Sequence, residues 1–240
     1  MRITLLMATL IAGLQLSPAT AASLRIAPVL VDLSAPTSAT TLRIWNDAQS
    51  PANVQVRIFQ WSQNGGKDVF TPATDVVVSP PITKLESGGE NMIRIVRTSK
   101  TPVRGEESYR VVIDELPQAA NRQPAGTVNL VVRHSIPVFF SSGSNTGAEP
   151  AWSVRRTKGG YEVNLANSGG KRIRIANLAL LDAGGTAVAK QQGLVGYVLG
   201  RSNATWFIPA SGGKAGGNSL TISAESDIGS ISARASVRGG

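Results

Sequence analysis

No stretch of this chain sustains the apolar spacing that a packed helix needs. A helix buries residues at i, i+3, i+4 and i+7, and no window bounded by helix caps carries that stripe. What recurs is short runs rich in Val, Ile, Thr and aromatics: Leu24 to Leu33, Thr41 to Asn46, Asn53 to Trp61, Asn91 to Arg97, Tyr109 to Leu116 and Val128 to Phe140. Turn clusters divide them, among them Asn46-Asp47, Asn64-Gly65-Gly66, Ser79-Pro80-Pro81 and Gly88-Gly89. Short strands at this spacing, with Gly (25) far outnumbering Trp (4), Tyr (3) and Phe (5), predict an all-β sandwich architecture.

Two segments stand outside the pattern. Residues 1–21 read as a signal peptide: Arg2 supplies the positive start, Ile3 to Leu14 is an apolar core too short to span a bilayer, and Ala19-Thr20-Ala21 is a small-residue cleavage site. Residues 142–150 read as a linker, inside the Ser- and Gly-rich run from Ser141 to Pro150. The expected organisation is one sandwich over 22–141 and a second over 151–240, where Gly159-Gly160, Gly169-Gly170 and Gly184-Gly185 mark turns between further strands.

An exported chain with no Cys has no disulfide framework and must draw its stability from packing. One His leaves no material for a His-rich metal centre, and no cofactor is expected. Cleavage after Ala21 leaves 23 Lys+Arg against 15 Asp+Glu, a net +8. That excess raises nucleic-acid, anionic-membrane and acidic-partner readings together. The charge is dispersed along strands and lacks the interleaved aromatics of an RNA-binding surface, so no nucleic-acid partner is expected. No later segment approaches a membrane span, so no membrane insertion is expected.

The most informative strands are Glu107-Ser-Tyr-Arg-Val-Val-Ile-Asp-Glu-Leu-Pro117 and Thr127-Val-Asn-Leu-Val-Val-Arg-His-Ser-Ile-Pro-Val-Phe-Phe140. In the second, Val128, Leu130 and Val132 alternate on one face. They either fill their own core or face outward as an apolar edge offered to another protein. These segments, with Ile26-Ala-Pro-Val-Leu-Val-Asp-Leu, Leu42-Arg-Ile-Trp-Asn-Asp, Val54-Gln-Val-Arg-Ile-Phe-Gln-Trp, Val78-Ser-Pro-Pro-Ile and Gly88-Gly-Glu-Asn-Met-Ile-Arg-Ile-Val-Arg, form an ordered set. The set resembles the periplasmic chaperones of the chaperone–usher pilus family, P-pilus-chaperone-like. The Trp and the Ser-Ile-Pro-Val-Phe variant look most like its archaic or spore-coat-like branch.

The resemblance implies two immunoglobulin-like β-sandwich domains set at an angle. It also implies a periplasmic location, transient one-to-one binding of pilus or fimbrial subunits by donor-strand complementation, and delivery to an outer-membrane usher. On that resemblance Val128, Leu130 and Val132 are the donor-strand residues, with Asn129 and Val131 turned toward their own domain. The family holds the subunit's terminal carboxylate with two basic residues, but at the positions used in the P-pilus chaperone's branch this chain has Leu30 and Pro137. Arg94 and Arg133 are the replacements expected, with Arg110 and Arg97 in reserve. Glu115 and Asp227 are the expected interdomain contacts, although the basic partner after the last strand is Ser141 here.

An enzyme is not expected. His134 and Ser135 are strand neighbours and point to opposite faces, as do Glu106 and Glu107, or Asp114 and Glu115. The competing reading is an exported Ig-like structural or adhesive surface protein. A pilin would itself lack a final strand and carry an N-terminal extension of alternating apolar residues, whereas this chain reads as a complete first domain with a spare last strand.

Overall fold

The computed structural model describes residues 24–117, 131–143, 147–211 and 217–239, and all the regular structure among them is strand. The first ten strands are β1 (Leu24–Ala27), β2 (Val31–Ser34), β3 (Ala39–Asn46), β4 (Ala52–Asn64), β5 (Lys67–Pro72), β6 (Val76–Ser79), β7 (Ile82–Leu85), β8 (Glu90–Arg97), β9 (Glu106–Leu116) and β10 (Arg133–Ser141). They build two facing sheets. One has the order β1-β3-β8-β6; the other has β2-β10-β9-β4-β5, with β7 paired to β4. The alternation seen in the sequence is the packing rule: Leu42 and Ile44, Ile93 and Ile95, Tyr109, Val111 and Ile113, and Val54 and Val56 all turn inward into one core.

The second set is β11 (Pro150–Thr157), β12 (Gly160–Asn167), β13 (Ile173–Leu181), β14 (Ala187–Val198), β15 (Ser202–Pro209), β16 (Ser219–Ser226) and β17 (Gly229–Arg238). Its ladder runs β14-β13-β16-β17-β11-β12-β15, and a bridge between Ala189 and Ala210 brings its two ends together around a second core. Strand pairing starts at Pro150, so the segment read as linker is one residue shorter on this side. The molecule is thus all-β, with the strands of two immunoglobulin-like domains.

The structure departs from the expected strands in two ways. The run from Leu24 to Leu33 is two strands in two different sheets: β1 pairs with β3, whereas β2 runs parallel to β10. Pro28 lies between them and has no N–H to give a ladder, so the chain can leave one sheet there and enter the other. Strands β5 to β7 were not foreseen, and every residue of β5 is exposed, so it has no buried face to betray it. The β4–β5 hairpin turns through Gly65 and Gly66, both at positive φ. At Gly66 an added Cβ would also lie 2.8 Å from Thr205 Oγ1 of the second domain, so only glycine fits this close approach.

The two domains meet over an aromatic cluster of Trp61, Phe139, Tyr197 and Leu199. Gln63 grips the second domain's backbone, donating to the Tyr197 carbonyl at 2.8 Å and accepting from the Leu199 N–H at 2.9 Å. At the centre lies Arg172. Its guanidinium stacks 3.7 Å above Phe139 and donates to Asp32 at 2.6 Å and to Glu106, while its backbone N–H also reaches Glu106 at 3.0 Å.

Candidate functional site: an open strand edge beside an arginine-bearing face

Strand β10 pairs with β9 along its whole length, from Arg133 opposite Asp114 to Ser141 opposite Glu106. On its other side β2 covers only Val138 to Ser141. Residues 133–137 therefore present a free edge among the described residues. The Ala35 N–H donates to the Ser141 carbonyl, so odd-numbered residues turn their backbone groups away from β9. By alternation Arg133 and Ser135 offer N–H and C=O groups to a partner strand, and Pro137, which has no N–H, offers its carbonyl. Such an edge is a template for strand addition.

The faces of β10 are set by Ile136, Val138 and Phe140, which enter the core. The opposite face carries Arg133, Ser135, Pro137 and Phe139. Val128 and Leu130 lie outside the described residues. Val132, immediately before β10, is half-buried, and the phase of β10 puts it on the core side. Val131, expected to turn toward its own domain, is instead 55% exposed.

The expected anchors do not converge. Arg94 is on β8, exposed between the inward-facing Ile93 and Ile95, and so on the outer side of one sheet. Arg133 is on the outer side of the opposing sheet, with the core between them. Arg133 is also engaged: Asp114, which is 9% exposed, accepts hydrogen bonds from both Arg133 and Arg57. Burial pushes the Asp114 carboxyl up, but the two arginines outweigh it and hold it below the usual carboxylate range. Of the reserve candidates, Arg97 is tied through two hydrogen bonds, of 2.7 and 2.8 Å, to Glu107.

Arg110 differs from all of these. Register places it directly opposite Pro137, and Leu30 lies one step before the Val31–Val138 pair. The row Leu30, Pro137, Arg110, Phe59 thus crosses one sheet face, with Arg110 beside both positions where basic residues were missing. Its guanidinium lies 3.9 Å over the Trp61 ring, Nη1 is 3.5 Å from the Ser135 carbonyl, and Nε is buried without a partner. It has no ion pair among the described residues, and burial pulls its basicity down. Asp68 acts on it through space only, so a half-buried cation with no hydrogen-bonded acid favours the arrival of an anion. Only register could reveal this, because Arg110 and Pro137 are 27 residues apart in sequence.

The expected interdomain contacts are also redistributed. Glu115 sits at the end of β9 away from the junction, nine residues beyond Glu106, where it borders a surface cleft with Gln55 and Arg57. It is the other end of β9, at Glu106, that meets the second domain. Asp227 does border the junction, lining a cavity of about 350 Å³ with Leu30, Asp32, Lys171, Arg172, Arg174 and Tyr197. Its hydrogen bond stays within its own domain, accepting from the Arg174 N–H at 3.0 Å. Among the described residues the cation that ties the domains is Arg172, one of the small Lys-Arg-Ile-Arg cluster at 171–174.

Comparison with known proteins accords with this geometry. Residues 23–142 match the family model of the pili and flagellar-assembly chaperone, PapD N-terminal domain. Among solved structures, the chain is similar to the chaperone–tip adhesion subunit pre-assembly complex CsuC–CsuE from archaic Csu pili of Acinetobacter baumannii, at 25% identity and a TM-score of 0.68 over 90% of this chain and 100% of that one. It is also similar in fold to the Salmonella enterica SafA pilin–SafB chaperone complex (21% identity, TM-score 0.58, 89% of this chain and 95% of that one). The E. coli chaperone DraB gives 22% identity and a TM-score of 0.54 over 91% of this chain and 97% of that one. No curated protein matches in sequence. With half its length matched by the family model and both domains superposed on these folds, the chain belongs to the pilus-assembly chaperone family.

Proposed function

We propose that this protein is a periplasmic chaperone that captures one pilus subunit along the free edge of β10 and delivers it to an outer-membrane usher. The observation that carries the reading is the pairing of an uncovered strand edge with Arg110, a cation on the adjacent face that has no ion pair among the described residues. The edge accepts a subunit strand by backbone hydrogen bonds. Val128, Leu130 and Val132, on the side of the strand that continues the core face of β10 past the end of the domain's own sandwich, then enter the subunit's apolar groove. Each aliphatic side chain contributes roughly 1.5–3 kcal/mol on full burial, so three supply about 5–9 kcal/mol before ordering costs. That suits a carrier that must later release its cargo. Arg110, rather than Arg94 or Arg133, receives the subunit's terminal carboxylate, and the charge-assisted hydrogen bond fixes the register of the captured strand. The fold is that of non-enzymatic chaperones, and the reading assigns no bond-making step.

Co-expression with an exported pilin tests the reading. The chaperone is expected to raise the soluble yield of the pilin and to copurify with it one to one, whereas a structural or adhesive Ig-like protein does neither. Leu130→Glu places a charge in the apolar groove. It is expected to abolish copurification while the free protein keeps its far-UV circular dichroism and cooperative unfolding. A variant that fails to fold means that Leu130 belongs to the protein's own core.

A further inference from the structure

The positive charge is not shared between the domains. Residues 22–150 carry 12 Lys+Arg against 11 Asp+Glu, whereas residues 151–240 carry 11 against 4. The second domain thus holds +7 of the +8 carried by residues 22–240. Its four acids are already engaged. Glu162 binds Arg155, Asp182 caps its own turn, Glu225 accepts from Asn177, and Asp227 accepts from the Arg174 N–H. In the first domain the basic residues are the ones drawn into ion pairs, as in Arg25–Asp47, Arg57–Asp114, Lys84–Glu86 and Arg97–Glu107.

The unpaired charge of the second domain has a focus. Along β17, Ala235 is buried and Val237 packs against the core, so Arg234, Ser236 and Arg238 point outward and are exposed. Parallel pairing sets Arg155 of β11, itself paired with Glu162 of β12, directly beside Arg238. On the other side, Arg234 faces Thr221 and Ser236 faces Ser219 of β16. The side chains next to the two β17 arginines are therefore mostly short hydroxyls. The guanidiniums stand above a low, hydroxyl-lined sheet face and can reach a plane of anions that long neighbours would hold off. Arginine forms two-pronged hydrogen bonds with phosphate, and the Ser and Thr hydroxyls add further donors.

We propose that this outer face of β16-β17-β11 docks the protein on an anionic phospholipid surface, without insertion, while the first domain holds its subunit. The proposal rests on the chaperone reading for its setting, because delivery to a membrane-embedded usher then becomes a search along a surface. Charge complementarity selects the occupant. The face presents Arg234 and Arg238 among Ser and Thr hydroxyls, with Glu225 at the far end of β16 already bound to Asn177, and its strands carry no exposed large apolar residue, which fits phosphate headgroups better than an acyl layer.

Flotation of the mature protein with vesicles tests the proposal. The vesicles contain about one part phosphatidylglycerol to two parts phosphatidylethanolamine, and phosphatidylcholine vesicles serve as control. The protein is expected to float with the anionic vesicles at about 50 mM salt, to release at about 500 mM salt, and to ignore the control. Arg234→Ala/Arg238→Ala is expected to weaken binding more than tenfold, each basic residue near such a surface being worth about fivefold. Its circular dichroism and its subunit capture are expected to be unchanged. Equal flotation of this variant, or equal flotation on phosphatidylcholine, overturns the proposal. So does absence of flotation by the unaltered protein, which would leave an acidic protein surface as the partner. Leu130→Glu separates the two readings, since it is expected to lose the subunit yet float normally.

Discussion

At the scale of single residues, the difference between Arg110 and its competitors is one of compensation. Arg57, Arg97, Arg133 and Arg172 each have a carboxylate within hydrogen-bond reach; Arg110 has a ring and a distant carbonyl. A half-buried cation in that condition gains most from an incoming carboxylate, because no resident acid is hydrogen-bonded to it and Asp68 acts only through space. Arg110→Met is expected to weaken subunit binding about 10- to 100-fold, the equivalent of about 1.5–3 kcal/mol for a hydrogen bond to a charged group. The loss of stability in the free protein is expected to stay within about 1 kcal/mol, since removing the desolvation penalty offsets the lost stacking on Trp61. Titration calorimetry with a purified pilin and urea unfolding check the two halves. Arg94→Ala, on the far side of the sandwich, is expected to leave binding unchanged; if it weakens binding as much as Arg110→Met, the assignment of the anchor is wrong. Arg110 was visible in the sequence only as one of several strand arginines. Its significance lies in a cross-strand neighbour, and neighbours across strands are set by register, which local pattern does not specify.

At the scale of elements, alternation made the sandwich legible wherever a strand buries one face, as β3, β8 and β9 do. It failed for β5, which is exposed throughout, and for the β1–β2 break, where the apolar run continues across a change of sheet. Both β5 and β10 are edges, yet they differ. The turn leading into β5 is held against the second domain by the Thr205 N–H donating to the Gly66 carbonyl at 3.2 Å, while on the side away from β9 residues 133–137 of β10 have no partner strand among the described residues. Hydrogen exchange distinguishes the two sides of β10. In the free protein the amides of His134 and Ile136, which face β9, are expected to exchange slowly, and those of Arg133 and Ser135 quickly. Subunit capture is expected to slow only the second pair, by about 100-fold or more, since they change from open to paired. Equal protection of all four amides before the subunit arrives would mean that the edge is already covered.

At the scale of the whole molecule, the junction and the free edge of β10 are one structure, because Phe139 of β10 is the ring on which Arg172 rests. That continuity was illegible in sequence, since Arg172 joins Asp32, Glu106 and Phe139 from three distant segments. The Glu106 side chain is 2% exposed and that of Arg172 is 4% exposed. Burial pushes the Glu106 carboxyl above its ordinary value despite the pull of Arg172. The sign of the linkage follows. A carboxyl whose folded value is raised holds its proton more tightly in the folded state, so stability falls as pH rises through the window just above the ordinary glutamate range. Asp114 behaves oppositely, its contribution being lost as pH falls below the ordinary aspartate range. Glu106→Gln keeps the hydrogen-bonding shape and removes the buried charge, and is expected to cost less than about 1 kcal/mol at neutral pH. It is also expected to abolish the decline above the glutamate range. Arg172→Met leaves Glu106 buried and uncompensated beside Asp32, and is expected to cost about 3–5 kcal/mol, the usual penalty for breaking a buried pair from one side. Urea unfolding of both variants across pH 4 to 8 reads the comparison, with small-angle scattering to follow the junction. If the two substitutions cost the same, Arg172 is not the tie between the domains, and the aromatic cluster with Gln63 must hold them alone.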